Sequence, residues 1–205
     1  MRDAQGVGAR GRGERVPGKQ GRAFAGWRDG YMDAVSATTG SERWRVKTGD
    51  GIGSSPAVVD GRVYFGSWDG GLYVLDADFG REITRYMTGT SVYSSPAVAN
   101  GIIYFGGNDG VFYALDATSA QPRWTFSTGK KLNSAPSVVD GVVYFGSYDG
   151  NLYALDARTG VEIRRIKAGG NISTYPAVDK INSSPAVDKG VVFFGSDDRT
   201  FYAVR

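Results

Sequence analysis

Carboxylates recur along the chain at successive intervals of 40, 40 and 49 residues, each beside a residue that varies between the copies. They are Asp69, Asp109, Asp149 and Asp198, and the first three directly follow Trp68, Asn108 and Tyr148. Converging carboxylates could hold a hard cation such as calcium, and an aromatic ring beside a carboxylate suits contacts with a peptide or a sugar. Two simpler roles remain open: the Asp residues could form turns, and the aromatic residues could cover neighbouring hairpins.

The residues on which most enzymes rely for acid–base and nucleophilic chemistry are missing. The chain has 205 residues and contains neither His nor Cys. The usual general base, the usual zinc ligand, thiol nucleophiles and disulfides are therefore excluded. We expect no conventional hydrolase chemistry and assign no catalytic residue. Because each repeat carries one such Asp, the carboxylates are spread out, and we predict no metal site and no bound cofactor.

Membrane and nucleic-acid signals are weak as well. No apolar run approaches the length of a membrane-spanning helix, and the beginning of the chain lacks the apolar centre of a signal peptide. The net charge of +3 is concentrated in residues 1–20, which are rich in Gly and Arg. Such a segment cannot offset its ordering entropy, so we predict a disordered, solvated tail. An arginine-glycine tail that binds nucleic acid is the alternative, which we do not favour.

An internal repeat dominates the rest of the chain. The template is VDGVVYFGSYDGNLYALDARTG, from Val139 to Gly160. Close copies begin at Ala99 (ANGIIYFGGNDGVFYALDATSA) and at Val59 (VDGRVYFGSWDGGLYVLDADFG), and a degraded copy begins at Asp188 (DKGVVFFGSDDRTFYAVR). Self-similarity at this period indicates stacked or radially arranged supersecondary units.

Turn signals divide each copy into four strands. Asx-Gly pairs predict two-residue reversals at Asp60-Gly61 and Asp69-Gly70, and the other copies repeat both. A third reversal follows at LDADFG, LDATSA and LDARTG, where the side chains of Asp76, Asp116 and Asp156 can cap backbone N–H groups. In the second complete repeat the predicted strands are Pro96–Ala99, Ile102–Gly106, Phe112–Leu115 and Arg123–Thr128.

The middle strands of each copy predict a β-propeller. Segments such as IIYFG and LYAL are apolar almost throughout, which is typical of a sheet that is covered on both faces. Four-stranded antiparallel sheets that neighbours cover on both sides are propeller blades. The alternatives are a β-solenoid or a β-sandwich. We therefore predict an all-β fold of about four blades.

The loops between blades emerge at the same end of a propeller as the turns that carry Trp68, Asn108 and Tyr148. They hold Tyr93-Ser94-Ser95, Lys130-Lys131-Leu132-Asn133 and Ser173-Thr174-Tyr175. The candidates for a binding surface are Trp68, Asn108, Tyr148, Tyr93, Lys130 and Lys131. For the lysine pair, the alternative to an anion site is a solvated rim.

The first and last repeats are incomplete in sequence. We predict a decayed blade at 21–49 that is secure only in its last strand, then blades at about 52–89, 92–129 and 132–169, and a partial blade at 172–205. Either Pro176 or Pro185 begins the last blade, and we favour Pro185 because it keeps the distance to the next strand.

Two arrangements of these blades remain open. The strand at Glu42–Lys47 could complete the sheet of residues 184–204, which gives a closed four-bladed ring without open edges. The chain could instead form an open arc, as half of a larger ring completed in a homodimer or as a fragment of a longer protein.

The string YALDARTG, together with RWTFSTG (Arg123–Gly129) and RWRVKTG (Arg43–Gly49), resembles the pyrroloquinoline-quinone-like (PQQ-like) repeat. In that family a Trp docks on the adjacent blade. Trp44 and Trp124 occupy its position here, whereas Thr84 and Arg164 replace it elsewhere. The resemblance implies weaker docking at those two junctions.

The PQQ-like family includes enzymes and non-catalytic propellers. The quinoprotein dehydrogenases hold PQQ and calcium, but they are far longer, and no position here aligns with their catalytic or calcium-binding residues. The resemblance is greatest to non-catalytic members, such as the lipoprotein subunit of the outer-membrane barrel-assembly machinery. It implies a scaffold for protein or peptide partners in a bacterial periplasmic or extracellular setting. The alternatives are a fragment of a quinoprotein dehydrogenase and the sensor propeller of a membrane receptor kinase.

Overall fold

The computed structural model describes residues 15–18, 21–170 and 184–205. These residues form nineteen strands and no helix, arranged in five sheets that we number 1 to 5 in chain order. Sheet 1 contains β1 (Arg15–Gly18), β2 (Arg22–Gly26), β3 (Tyr31–Ser36) and β4 (Glu42–Lys47). Sheet 2 contains β5 (Ala57–Val59), β6 (Arg62–Gly66), β7 (Gly71–Asp76) and β8 (Glu82–Met87).

The remaining sheets repeat this order. Sheet 3 contains β9 (Ala97–Ala99), β10 (Ile102–Gly106), β11 (Val111–Asp116) and β12 (Pro122–Ser127). Sheet 4 contains β13 (Ser137–Val139), β14 (Val142–Gly146), β15 (Asn151–Asp156) and β16 (Glu162–Lys167). Sheet 5 contains β17 (Ala186–Asp188), β18 (Val191–Gly195) and β19 (Phe201–Val204). The all-β architecture of antiparallel blades is confirmed, with five sheets where the sequence predicted about four.

The turns between the first and second strands are the predicted two-residue reversals. Asp60 and Gly61 have φ angles of 49° and 72°, and Asn100 and Gly101 have 51° and 73°. Two successive residues with positive φ make the turn whose twist matches that of the flanking strands. Asx-Gly pairs adopt this conformation at little energetic cost, so the sequence determines where each sheet begins.

The predicted two-residue turns at Asp69-Gly70, Asp109-Gly110 and Asp149-Gly150 are wrong. Residues 67–70 separate β6 from β7, and the backbone N–H of Ser67 donates to the carbonyl of Gly71 at 2.9 Å. Gly70 has a φ of 92°, whereas Asp69 is not among the residues with positive φ. The turn therefore uses the side chain of Asp69 in place of an unusual backbone conformation at that residue.

An apolar layer joins each pair of successive sheets. We call the side of a sheet that faces the preceding sheet its front face, and the opposite side its back face. The front faces of sheets 2 to 5 each carry a stacked Phe and Tyr on neighbouring strands, with ring centroids 4.9 to 5.4 Å apart. The pairs are Phe65–Tyr73, Phe105–Tyr113, Phe145–Tyr153 and Phe194–Tyr202. All four Phe side chains are 0% exposed, and burial of each stabilises the fold by about 1.5–3 kcal/mol.

The five sheets form an open arc. The first strands of successive sheets contact one another in order: β1 with β5, β5 with β9, β9 with β13, and β13 with β17. Within the described residues β17 does not contact β1, so the ring is not closed. The predicted alternative of a closed four-bladed ring is therefore wrong, and the open arc is confirmed.

Sheet 1 is more complete than its sequence indicates. β2, β3 and β4 pair in the register of the intact repeats, and β1 adds a fourth strand inside the segment predicted to be disordered. That prediction is wrong for residues 15–18, and residues 1–14 and 19–20 lie outside the described residues. Because β4 pairs with β3, it does not complete the sheet of residues 184–204 as one prediction had it.

Sheet 5 begins where the sequence favoured. Pro185 directly precedes β17, just as Pro56 and Pro96 precede β5 and β9. Pro176, the competing residue, lies outside the described residues. In the described part of the chain β19 pairs only with β18, so one edge of sheet 5 carries no neighbouring strand.

Two indole side chains tie the outer strand of one sheet to the next sheet. Trp44 donates from Nε1 to the carbonyl of Ala77 at 3.0 Å, and Trp124 donates to the carbonyl of Ala157 at 3.1 Å. A Cβ atom at Gly160, which has a φ of 73°, would lie 2.6 Å from the ring of Trp124. Gly160, in the third turn of sheet 4, therefore leaves the space against which the indole of Trp124 packs.

The junctions without Trp are built differently. Between sheets 2 and 3, the carbonyl of Ala117 accepts a hydrogen bond from Nη1 of Arg62 at 2.8 Å instead of one from an indole. Between sheets 4 and 5, Arg164 donates to the carbonyl of Arg205 at 2.5 Å. A cavity of about 130 Å³ remains beside Arg164, with Tyr144 and Leu152 in its lining. The place of the missing indole is therefore incompletely filled at the last junction.

We expect Gly160→Ala to lower the free energy of unfolding by about 2–4 kcal/mol, because it combines an unfavourable φ with a collision against Trp124. The matched control is Gly141→Ala. Gly141 also has a positive φ of 77°, but no atom lies within 4 Å of its added Cβ. In the control variant the free energy of unfolding should fall by only about 1–2 kcal/mol. Urea denaturation measures both.

In a Trp124→Ala background the collision disappears, so Gly160→Ala should then cost no more than Gly141→Ala does. If the difference between the two glycine variants persisted without the indole, the docking role of Trp124 would be refuted.

Candidate functional site

The loop between the second and third strands of each sheet is built around its Asp side chain. Asp69 accepts hydrogen bonds at Oδ1 from the backbone N–H of Gly71 at 2.8 Å and at Oδ2 from the hydroxyl of Tyr73 at 2.6 Å. Oδ2 also accepts a bond from the backbone N–H of Gly49 at 2.8 Å, in the segment that leaves sheet 1. One carboxylate thus joins its own loop, the buried Tyr and the preceding blade.

The same Asp–Tyr contact recurs in sheets 3, 4 and 5. The hydroxyl-to-carboxylate distances are 2.5 Å for Tyr113–Asp109, 2.5 Å for Tyr153–Asp149 and 2.6 Å for Tyr202–Asp198. These bonds give the four recurring carboxylates an architectural role. In the described residues, no group of three or more potential ligand side chains could hold a metal ion.

In the Tyr73–Asp69 pair, burial and the hydrogen bond between the two side chains shift the pKa of both members. Burial raises the pKa of Tyr73 to about 12, and the hydrogen bond to Asp69 adds to the shift. For Asp69 burial acts to raise the pKa, but the hydrogen bonds from Tyr73, Gly71 and Gly49 outweigh it and lower the pKa below its usual value. The pair therefore favours a neutral tyrosine beside an ionised carboxylate.

The third turn uses an Asp in a different way. Asp76 Oδ1 accepts hydrogen bonds from the backbone N–H groups of Asp78 and Phe79 at 2.9 and 2.8 Å. Asp116 and Asp156 make the equivalent bonds. In Asp116 the side-chain bond from Arg123, together with these N–H groups, holds the pKa well below its usual range. These turns lie at the end of the sheets opposite Asp69.

The variable residue before each loop Asp lies against the segment that enters its sheet. The backbone N–H of Trp68 donates to the carbonyl of Gly51, that of Asn108 to Ser91, and that of Tyr148 to Lys131. The equivalent position in sheet 1 is Arg28. The predicted candidates therefore lie on the same end of the arc, at successive junctions between sheets.

Trp68 is the centre of an aromatic group on this end. Its ring packs on Gly51 and Gly53, where added Cβ atoms would lie 2.6 and 2.7 Å from the indole. Tyr93 lies beside it with ring centroids 5.2 Å apart, and the guanidinium of Arg28 lies 5.9 Å from its ring. The indole Nε1 is buried and has no hydrogen-bond partner among the described residues. Trp68 thus has a packing role, while its half-buried ring still reaches the surface.

A second group of polar and aromatic residues lies at the junction between sheets 3 and 4. Asn133 donates from Nδ2 to the hydroxyl of Tyr148 at 3.3 Å, and Lys130 and Lys131 are exposed in the same segment. Asn108, between the two groups, has a buried side-chain oxygen with no hydrogen-bond partner in the part of the chain that the structure describes. We call these residues the loop surface: Arg28, Trp68, Tyr93, Asn108, Lys130, Lys131 and Tyr148. Ser173-Thr174-Tyr175, predicted to line the same end, lies outside the described residues.

Sequence reasoning missed Arg28 as a neighbour of the predicted residues, and it placed Asn133 at this end only as part of the segment Lys130-Lys131-Leu132-Asn133. The register of the repeat contained the signal for Arg28, because Arg28-Asp29-Gly30 aligns with Trp68-Asp69-Gly70. The signal went unused because the first repeat diverges elsewhere. Asn133 is visible in the sequence only as part of a polar segment, and its contact with Tyr148 depends on the fold.

Comparison with known proteins identifies the family. Residues 28–205 match the profile of the family described as outer membrane protein assembly factor BamB. The chain belongs to this family. The resemblance to PQQ-like repeats that was drawn from YALDARTG and its neighbours is thereby confirmed.

Solved structures of similar fold include a member of the BamB family. The crystal structure of BamB from Moraxella catarrhalis is 25% identical, with a TM-score of 0.76 over 92% of this chain and 56% of that chain. The computationally designed Ika8 protein has 18% identity and a TM-score of 0.79, covering 91% of this chain and 56% of that one. Sqt1 of Saccharomyces cerevisiae has 16% identity and a TM-score of 0.78, covering 94% and 58%. The last two show the fold alone.

The chain spans little more than half the length of the solved structures it resembles, 56% in the case of Moraxella BamB. No curated protein sequence matches it. Among the described residues there is no helix whose length and apolar character would let it cross a membrane.

The raised pKa of Tyr73 predicts a loss of stability in alkali. A tyrosine whose pKa is raised by folding contributes stability that is complete below its unfolded pKa near 10 and is lost as the pH rises toward about 12. We expect the free energy of unfolding of the Tyr73→Phe variant to decline less steeply than that of the wild type as the pH rises through this window. At neutral pH it should be less stable by about 0.5–1.5 kcal/mol, because the hydroxyl bond to Asp69 is gone. Urea denaturation across the pH range measures both effects.

Asp69→Asn is the matched variant, because it keeps an acceptor for the hydroxyl and removes the charge. It should lower the pKa of Tyr73 toward the usual value, as seen by tyrosinate absorbance. A Tyr73 that titrates near its usual value in the folded wild type contradicts the assignment.

Proposed function

We propose that this chain is a non-enzymatic β-propeller scaffold that binds a protein or peptide through the loop surface. The observation that carries the proposal is the group of Arg28, Trp68 and Tyr93. It presents a cation and two rings, carried by the loops between sheets 1, 2 and 3. Aromatic residues and Arg are enriched where proteins bind one another.

The chemistry of this end suits recognition better than catalysis. The recurring carboxylates are held by backbone N–H groups and by Tyr hydroxyls, so they are not presented together to a ligand. Lys130 and Lys131 add exposed positive charge beside Tyr148. Rings next to cations suit a polypeptide segment that carries aromatic and acidic side chains.

Membership in the family supports the proposed setting of this scaffold. The family is named for a factor that assembles outer membrane proteins, which supports an extracytoplasmic role in a bacterium. Membership also supports a protein partner over a small substrate. The enzymatic alternative is a fragment of a PQQ-dependent dehydrogenase, in which PQQ and calcium would bind.

Site-specific photo-cross-linking tests the proposed surface. A photoreactive residue placed at Tyr93 or at Lys131 should form adducts with the same partner in the native cell envelope. A probe at Arg158, which is exposed at the opposite end of sheet 4, should form none. Lys130→Glu with Lys131→Glu should weaken the captured complex by about tenfold, since it reverses charge at the rim.

The matched control for the charge reversal is Arg158→Glu with Lys189→Glu, which changes two exposed cations at the other end. Equal cross-linking at both ends, or equal weakening by both double variants, contradicts the proposal. Saturable binding of PQQ with calcium, followed by absorbance, would favour the enzymatic alternative instead.

A further inference from the structure

One of the four indole N–H groups in the chain differs from the other three. Trp27 donates from Nε1 to Oδ2 of Asp33 at 2.9 Å, and Trp44 and Trp124 donate to backbone carbonyls at 3.0 and 3.1 Å. Nε1 of Trp68 is also buried, but no described residue supplies an acceptor for it. Such a donor is unfavourable, because it has lost its hydration without gaining a hydrogen bond. The loop surface therefore holds an unused donor.

The N–H edge of this indole rests on backbone. Gly51 and Gly53 lie against the ring, and a Cβ atom added at Gly53 would lie 2.7 Å from Nε1. Forty residues further along, the segment that enters sheet 3 carries Ser91 and Tyr93 at these two positions. Because glycine presents no side chain, a tilt of the ring away from Gly53 brings the N–H group to the surface.

Arg28 places a cation beside the same ring. Its guanidinium lies 5.9 Å from the ring centroid of Trp68, and in the described part of the chain it forms no ion pair. Asp29, the next residue, accepts a hydrogen bond from the backbone N–H of Tyr31 at 3.3 Å. Arg28 is exposed, so its planar set of donors can meet an anion from outside the chain.

A carboxylate satisfies both groups at once. The guanidinium matches the geometry of a carboxylate, and a carboxylate oxygen is also an acceptor for the indole N–H. The ring of Tyr93, whose centroid lies 5.2 Å from that of Trp68, offers apolar surface to the residue next to the carboxylate. Lys130 and Lys131, exposed on the same end, add attraction for an acidic chain.

We propose that Arg28 and Trp68 together bind one carboxylate side chain of a partner polypeptide, an aspartate or a glutamate next to an apolar residue. The inference rests on the proposed function, because it names the group that the loop surface recognises. On binding, the indole tilts away from Gly53 and donates its N–H to one carboxylate oxygen, while Arg28 donates to the other. The apolar neighbour of the carboxylate packs on Tyr93.

Two blocked pentapeptides that differ in one group serve as probes. Gly-Phe-Glu-Phe-Gly carries the carboxylate, and Gly-Phe-Gln-Phe-Gly is its neutral isostere. In proton–nitrogen NMR spectra of the labelled protein, the indole signal of Trp68 is assigned by its loss in Trp68→Phe. The glutamate peptide should shift this signal saturably and leave the indole signals of Trp44 and Trp124 in place. The glutamine peptide should bind about tenfold more weakly, because it lacks the charge.

Two variants assign the roles of the binding residues. Arg28→Gln should weaken binding of the glutamate peptide by about tenfold and so remove the difference between the peptides. The matched control is Arg158→Gln, which removes an exposed Arg at the opposite end of sheet 4 and should change neither affinity. Trp68→Phe keeps a ring but loses the N–H group, so it should weaken the glutamate peptide more than the glutamine peptide.

Three results would overturn the inference: equal affinity for the two peptides, equal losses in Arg28→Gln and Arg158→Gln, or a Trp68 indole signal that neither peptide moves. A glutamate peptide that shifts only the backbone signals of Lys131 and Tyr148 would also overturn it, while still supporting the loop surface as a polypeptide site. The proposed function fails separately, through cross-linking at Tyr93 and Lys131 that is no greater than at Arg158.

Discussion

The contact between a buried tyrosine and the loop aspartate links the core of each blade to its surface. The ring of Tyr73 stacks on Phe65 in the apolar layer between sheets 1 and 2. Its hydroxyl reaches Asp69, which also holds Gly71 and the backbone of Gly49 in the preceding segment. The packing of one sheet on another therefore also fixes the loop from which Trp68 projects. A scaffold needs this coupling, since a binding surface made of loops is only as well defined as the layer beneath it.

The same logic explains why the ends of the arc matter. A sheet that is apolar on both sides is stable only when both sides are covered. Sheet 1 resolves this with Asp33, Arg45 and Trp27, which make its outer side polar. Sheet 5 has no equivalent device among the described residues, and Phe201 is exposed at a position that is buried elsewhere. The two ends thus differ in chemistry although they descend from one repeat.

The sequence predicted best what local chemistry determines. Asx-Gly pairs such as Asp60-Gly61 located the first turns, because few other residues adopt positive φ twice in succession. The strands of sheet 3 were predicted to within one residue at each end. The loop at Asp69 was mispredicted because the same dipeptide can act through its side chain, which accepts hydrogen bonds from the backbone N–H of Gly71 and the hydroxyl of Tyr73. The sequence underestimated how complete sheet 1 is, because Ala25 and Asp33 depart from the repeat pattern. The side-chain contacts of Asp33 that explain this departure depend on the fold.

The candidate site was predicted in part. The positions of Trp68, Asn108 and Tyr148 followed from the register of the repeat, whereas the grouping of Trp68 with Tyr93 and Arg28 depends on how neighbouring blades meet. Membership in the BamB family is consistent with the proposed scaffold role, but it does not specify which of these residues contacts a partner. That assignment rests on the geometry of the loop surface.

The interior sheets owe their stability to neighbours on both faces, and amide hydrogen exchange with mass spectrometry tests this dependence most directly. Sheet 3 has a neighbour on each side, so β10 and β11 should exchange slowest. Sheet 5 has a described neighbour only on its front face, so β18 and β19 should exchange fastest among the equivalent strands. Protection of β18 and β19 equal to that of β10 and β11 in the isolated chain would contradict the account.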